Sequence, residues 1–200
     1  MNSRLHRNGN GGARRRLRLA ALIALPVVGA CDDAFGPQNW DATPDTVVVF
    51  SISRPELLGK PSGFDMTRLE PVTIESPLGG VNWDFALAEQ DGEFVMLPAS
   101  SIEGLGSRAA IAPRTETTLE AVTEAPPDSA SYRMTAVPIE IGAIYVVRSR
   151  TAVCNAFGTG GVRYGKLQAL SVDALTGTFR FAAVVNPFCN NRSLIPPEED

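Results

Sequence analysis

The chain has 200 residues, of which 44% are hydrophobic and 20% charged, a size and composition that fit one domain with a real core. All 22 Asp and Glu residues follow residue 31, but only 12 of the 18 Lys and Arg residues do, and the resulting net charge of −10 argues against nucleic acid and anionic lipid headgroups as partners. The single histidine is His6, so the rest of the chain has no imidazole for a catalytic triad, a general base or a metal site.

The N-terminal segment has the pattern of an export signal. Six arginines and no acid occupy residues 1–18, and residues 19–28 then form a short apolar run. A basic region followed by about 7 to 15 apolar residues is typical of a secretory signal and is too short to span a bilayer. Residues 1–30 are therefore predicted to be a cleaved signal peptide.

The signal ends in Val28-Gly29-Ala30-Cys31. This motif resembles the lipobox of bacterial lipoproteins, in which an aliphatic residue and two small residues precede a cysteine. The resemblance implies that Cys31 becomes the first residue of the mature chain and is acylated on its sulfur and its amine. Because two or more acyl chains anchor a protein stably, the expected location is outside the cytoplasm, on the cell membrane or outer membrane and facing the periplasm or exterior. The alternative is a secreted protein in which Cys31 pairs with another cysteine.

The segment after the anchor is predicted to be a tether over residues 31–45, since it lacks apolar periodicity and contains Pro37 and Pro44. A β domain is predicted over residues 46–192. Its first strand is expected at 46–53, followed by a turn or a single helical turn. Pro71 is expected to break the next segment or to place it at a sheet edge.

A β-hairpin is predicted over residues 81–98, with its turn at Asp91-Gly92. In this hairpin Trp83, Phe85 and Leu87 are expected to line one face.

The middle of the chain is less regular. Ser100 and Glu103 have capping-box spacing, which indicates a short helical turn. Residues 117–127 also contain such a spacing, but their β-branched residues favour a strand. Residues 132–150 are predicted to hold one long or two short strands, with Gly142 marking a bulge.

The last hairpin is the clearest element, because Phe179, Phe181, Ala183 and Val185 occupy alternate positions of its second strand. Cys154 and Cys189 bracket this hairpin. An even cysteine pair in an exported protein predicts a disulfide, with two buried free thiols as the alternative. The acidic, proline-rich residues 193–200 are predicted to form a disordered tail.

Together these elements predict an all-β fold, because about seven short strands are separated by frequent turns and no long helix is indicated. An antiparallel β-sandwich or a small barrel is expected, with a mixed α+β fold as the alternative.

A candidate binding face is predicted around the strand that ends near residue 150. Arg148 and Arg150 are spaced to project from one face of that strand, and Arg163 is expected nearby if the following loop folds back. With Tyr145 and Tyr164 they would suit a carboxylate or a partner protein, since Arg and Tyr are frequent interface anchors. The alternative is a solvated face with local ion pairs.

No catalytic residue, metal or cofactor is predicted. Gly160, Gly165 and Lys166 have P-loop spacing, but Leu167 stands where Ser or Thr must bind Mg²⁺, so this stretch is interpreted as a loop between strands. The chain is therefore predicted to be a non-enzymatic binding or interaction module of the cell envelope, held in the bilayer through Cys31 and able to contact an envelope protein. The alternative is a small-ligand (for example glycan) binding protein or a carboxylate-dependent hydrolase, whose candidate acids are Asp84, Glu89, Asp91 and Glu93.

Overall fold

The structure is a computed structural model that describes residues 39–75, 80–154 and 158–197. Within these residues the regular structure is almost entirely β, interrupted by three short 3-10 turns. The strands are β1 (Asp45–Phe50), β2 (Gly63–Asp65), β3 (Glu70–Val72), β4 (Phe85–Gln90), β5 (Glu93–Pro98), β6 (Ala110–Pro113), β7 (Val137–Pro138), β8 (Ile144–Arg148), β9 (Ala152–Val153), β10 (Gly160–Gly161), β11 (Tyr164–Asp173) and β12 (Thr178–Val185). The predicted signal peptide, Cys31, residues 32–38 of the tether and residues 198–200 lie outside the described part of the chain.

Two five-stranded antiparallel sheets make up the fold. The first sheet has the order β1-β12-β11-β8-β6, the second has the order β3-β2-β4-β5-β7, and β9 and β10 pair separately. The main hydrophobic core takes side chains from both sheets, so the sheets pack face to face. The predicted antiparallel β-sandwich is confirmed, and the two sheets do not close into a barrel.

Strand alternation explains which side chains form this core. On β12 the four residues Phe179, Phe181, Ala183 and Val185 point inward, as predicted from their period of two. Rings from both sheets meet there, because Phe181 lies 5.4 Å from Phe64, measured between ring centroids. Aromatic contacts of this kind stabilise a core beyond the area they bury.

Two local predictions about turns and edges are also confirmed. Pro71 lies in β3, which is an edge strand of the second sheet. Its missing N–H therefore interrupts no hydrogen bonding between the inner strands. Asp91 and Gly92 connect β4 to β5 and have φ angles of 53° and 83°, the left-handed conformation that a tight hairpin turn requires.

Several other expectations differ from the structure. Trp83 does not share a face with Phe85 and Leu87, because a bend at Asp84 precedes β4 and turns the indole towards a separate cluster with Ala86. A 3-10 turn forms at Ala99–Ser101, but no side chain caps it, so the predicted capping box is wrong.

The region around Gly142 also differs from the prediction. Gly142 has a φ of 85° and lies in a turn. That turn connects β7 of the second sheet to β8 of the first. Gly142 therefore marks a turn between strands and not the predicted bulge. The stretch with P-loop spacing was interpreted as a loop between strands, but Gly160 belongs to β10 and Gly165 and Lys166 belong to β11, so only residues 162–163 connect the two strands.

A second hydrophobic cluster covers the outer face of the first sheet. Residues 117–127, for which a strand was expected, form bends, turns and a single bridge between Glu124 and Ser193. Leu119, Val122 and Ala125 of this segment are buried against the outer face. Apolar burial without a continuous strand partner explains why β-branched content misled the prediction. Leu194 is fully buried in the same cluster, so the ordered domain extends beyond residue 192 into the predicted tail.

The disulfide between Cys154 and Cys189 is present, with the two Cα atoms 5.7 Å apart. It joins the end of β9 to the segment after β12. Asn190 reinforces the link, since its N–H donates to the Val162 carbonyl oxygen at 2.7 Å and its side-chain oxygen accepts from the Val162 N–H at 3.1 Å. In the part of the chain that is described, no helix is long and apolar enough to cross a membrane.

Candidate binding site

Three charged side chains meet at one end of the sandwich. Asp65 ends β2 and Asp84 immediately precedes β4, both in the second sheet, whereas Arg150 follows β8 of the first sheet. The guanidinium of Arg150 donates from one terminal nitrogen to Asp84 and from the other to Asp65, each at 2.9 Å. The side chains of both aspartates are 0% exposed and that of Arg150 is 15% exposed. One arginine therefore links the two sheets through two buried carboxylates.

Backbone N–H groups complete the environment of these carboxylates. Asp84 accepts hydrogen bonds from the N–H of Arg150 at 2.6 Å and of Met66 at 2.7 Å. Asp65 accepts from the N–H of Thr67 at 2.7 Å. Every carboxylate oxygen thus has a donor, which offsets the large cost of removing these charges from water.

The cluster changes the proton affinities of Asp84 and Arg150. Burial raises the pKa of Asp84 to about 6, while the charge of Arg150 and the two N–H donors oppose the rise. Burial also disfavours the charged form of Arg150, but the hydrogen bonds and charges of Asp65 and Asp84 outweigh it and raise its pKa. Arg150 is therefore a permanent cation, and the fold favours protonation of Asp84 more than water does.

A cavity of about 220 Å³ opens beside Arg150. Its lining is mixed, with apolar side chains on one part and groups able to form hydrogen bonds on the other. The lining residues are Val81, Asn82, Ala99, Leu105, Gly106, Ser107, Arg150 and Thr151. Trp83 packs in the same cluster as Ala99 and Leu105 and so supports the apolar part from behind. A concave site with an apolar wall and a few placed polar groups is the usual form of a small-ligand site.

Two of the predicted face residues, Arg148 and Tyr164, do lie together. They face each other across the β8–β11 pair. Arg148 stacks over Tyr132, with its guanidinium carbon 5.0 Å from the ring centroid, and donates to the Arg108 carbonyl oxygen at 3.0 Å. Tyr132 was not among the predicted residues, and its ring centroid is 6.4 Å from that of Tyr164.

The other three predicted residues point elsewhere. Tyr145 lies on the opposite face of β8, in the main core, and its hydroxyl donates to the Pro138 carbonyl oxygen at 3.0 Å. Arg150 lies beyond the end of β8 and turns towards the second sheet, so it does not share a face with Arg148. Arg163 donates to the Thr67 carbonyl oxygen at 2.7 Å. The five residues therefore do not form one continuous surface.

The acids proposed for a hydrolase have other roles in the structure. Asp84 is buried in the cluster with Arg150, and Glu89 pairs with Arg54 at 2.6 Å. Asp91 and Glu93 lie at the exposed β4–β5 turn.

One cavity does combine two acids with an aromatic ring, since Asp41, Asp45 and Phe64 line it. Its volume is about 40 Å³, close to the roughly 30 Å³ that one water occupies, so a sugar ring does not fit. Among the described residues, no group of three or more acidic, cysteine or histidine side chains is placed to hold a metal ion.

A larger but more open depression, of about 620 Å³, lies near the disulfide. Its charged groups satisfy each other, because Arg192 donates to Glu124 at 2.7 Å. The side-chain oxygens of Asn190 and Asn191 accept from the N–H groups of Val162 and Ser193. The side chains of Arg192 and Glu124 are 36% and 59% exposed, against 15% for Arg150, so a ligand in this depression would compete with more water than one in the cavity beside Arg150.

Sequence reasoning missed Asp65, Asp84 and the cavity as parts of one site. One signal was available, since Asp84 is a charged residue between Trp83 and Phe85 at the start of a buried strand, and buried acids are rarely left unpaired. Comparison with known proteins adds no assignment, because no protein-family model and no curated protein matches the chain. The candidate site rests on its geometry.

Proposed function

We propose that this chain is an exported lipoprotein, anchored through acylated Cys31, whose disulfide-bonded β domain is a non-enzymatic binding module of the cell envelope. The observation that carries the proposal is which of the three cysteines form the disulfide. Cys154 and Cys189 are joined to each other, which leaves Cys31 as the third cysteine of the sequence. It stands directly after Val28-Gly29-Ala30, where a lipobox cysteine is acylated.

The mode of attachment follows from the charge of the mature chain. A net charge of −10 opposes binding to anionic headgroups. The protein is therefore attached to the bilayer by its acyl chains and not by a basic surface. Each buried CH₂ contributes about 0.8 kcal/mol, and two or more chains give a stable anchor. The disulfide fits the same location, because such bonds persist in oxidising compartments outside the cytoplasm.

Binding is favoured over catalysis by the chemistry of the side chains. The chain after His6 has no histidine, and the buried carboxylates of Asp65 and Asp84 are occupied by Arg150. An arginine with unused donors beside an apolar wall suits recognition of a ligand or a partner.

The experiment that tests the anchor compares the full chain with its Cys31→Ser variant in a bacterial host. We expect the wild-type protein in the membrane fraction, with an N-terminal peptide whose mass shows acylation at Cys31. The Cys31→Ser variant should lose that mass increase and leave the membrane fraction. Asp33→Ser is the matched control, since it changes a neighbour and keeps the cysteine. Unmodified Cys31 in the wild-type protein would contradict the proposal.

The binding role is tested by crosslinking in living cells followed by purification of the tagged, anchored protein. A defined envelope component that is captured by the wild-type protein and lost with Thr151→Trp, which fills the cavity beside Arg150, would support it. Equal capture by both proteins would argue that the cavity is not the binding site.

A further inference from the structure

The cavity beside Arg150 presents two kinds of surface to a ligand. Val81, Ala99 and Leu105 supply the apolar part. Ser107 and Thr151 supply hydroxyl groups, which both donate and accept hydrogen bonds. A ligand that matches this surface needs an apolar face and a rim of polar groups.

The guanidinium of Arg150 offers donors to such a ligand. A guanidinium has five N–H groups, and two of those in Arg150 donate to Asp65 and Asp84. The other three have no acceptor among the described residues. These donors are held in place, because Arg150 is fixed by two carboxylates and only 15% of its side chain is exposed.

The net charge at the cavity argues against an anionic ligand. The two carboxylates of Asp65 and Asp84 more than balance the charge of Arg150, and Arg68 approaches Asp65 from the solvent at 4.0 Å. The N–H groups of Arg150 therefore act without a large positive field. A carboxylate or phosphate gains little attraction here, whereas an uncharged hydroxyl oxygen gains a hydrogen bond without losing ionic hydration.

We infer that this cavity binds one uncharged sugar unit of an envelope glycan. A pyranose ring has an apolar C–H face, which would lie against Val81 and Leu105, and hydroxyl groups, which would accept from Arg150 and bond to Ser107 and Thr151. The volume of about 220 Å³ is below the roughly 300–1,000 Å³ of drug-sized sites, which suits a single ring. The inference rests on the proposed function, since an exported module faces the glycans of the envelope.

Saturation-transfer NMR on the full-length, detergent-purified protein tests this directly. The neutral probes are D-glucose, D-galactose, D-mannose and N-acetyl-D-glucosamine, and D-glucuronate is the charged partner of D-glucose. The detergent must carry no sugar headgroup. We expect saturation transfer to at least one neutral sugar, and if that sugar is D-glucose, D-glucuronate should bind at least tenfold more weakly. No transfer to any neutral sugar, or tighter binding of the glucuronate, would overturn the inference.

Two exposed lining residues give variants that leave the buried cluster intact. Thr151→Trp fills the cavity and Val81→Asp places a charge on its apolar wall, and each should weaken binding at least tenfold. Thr117→Trp, at an exposed position that does not line the cavity, is the matched control and should bind as the wild type does. Unchanged binding by both cavity variants would place the sugar elsewhere and overturn the assignment.

Failure here can be separated from failure of the proposed function. Membrane anchoring is measured by fractionation and by the mass of the Cys31 peptide, and neither depends on the cavity. A protein that is acylated but binds none of the sugars would remove this inference and leave the lipoprotein proposal in place.

Discussion

Arg150 and Asp84 are joined by two hydrogen bonds. The backbone N–H of Arg150 donates to one carboxylate oxygen of Asp84 at 2.6 Å, and its guanidinium donates to the other at 2.9 Å. Because Arg150 follows β8 of the first sheet and Asp84 precedes β4 of the second, this pair connects the two layers of the sandwich at one end. Arg150 also lines the cavity of the candidate site, so a change in this pair would affect both the stability of the domain and the shape of the cavity.

Removing Asp84 should therefore destabilise the domain strongly. In Asp84→Ala the N–H groups of Arg150 and Met66 lose their acceptor, and the buried guanidinium keeps only Asp65. Breaking a buried ion pair by removing one partner costs about 3–5 kcal/mol. Urea unfolding followed by far-UV circular dichroism measures the loss. Glu103→Ala, an exposed acid, should change the unfolding free energy by less than about 0.5 kcal/mol, and an equal effect of both changes would contradict the role of the cluster.

Asp84 should also give the domain an unusual dependence on pH. Burial raises its pKa from 3.8 to about 6, so the fold favours the protonated form, and the part of the stability that is linked to this proton is fully present below about pH 4 and is lost as the pH rises through 6. Between pH 5 and pH 7 the wild-type unfolding free energy should fall by about 1 kcal/mol relative to that of Asp84→Asn.

The comparison with Asp84→Asn isolates this titration from that of the other carboxylates. Arg150 and Asp65 face Asp84, and Arg68 lies on the other side of Asp65, 4.0 Å from its carboxylate. The variant leaves all three in place. Paired unfolding curves at the two pH values give the difference directly. A difference that rises with pH would show that the fold stabilises the charged form of Asp84 instead.

The fold was predictable where neighbouring residues determine structure. Alternation on β12 and the Asp91-Gly92 turn depend on positions close in sequence, and both were confirmed. The ion cluster was not predictable, because Arg150 lies 66 residues from Asp84 and 85 from Asp65. Sequence spacing suggested that Arg150 shares a face with Arg148, but β8 ends at Arg148 and alternation no longer applies after it.

The disulfide should contribute more to stability than any single side chain near it. It closes a loop between residues 35 positions apart, for which the chain-entropy model gives about 4 kcal/mol. The Cys154→Ser/Cys189→Ser double variant should lose roughly this amount in urea unfolding. Adding reductant to the wild type should produce the same loss and should not affect the double variant. A reductant effect on the double variant would point to another cause.

Leu194 should be a required part of the domain although it lies in the acidic, proline-rich end of the chain. Its side chain is 0% exposed, and its N–H donates to the Thr123 carbonyl oxygen at 2.8 Å. Truncation to alanine removes buried methyl groups and leaves a cavity against Val122 and its neighbours, so Leu194→Ala should lower the unfolding free energy by about 2–5 kcal/mol. Ile195→Ala is the matched control, since that neighbouring side chain is 44% exposed and should cost far less. Urea unfolding of the two variants tests this prediction. If the segment were disordered, neither substitution would change the free energy of unfolding.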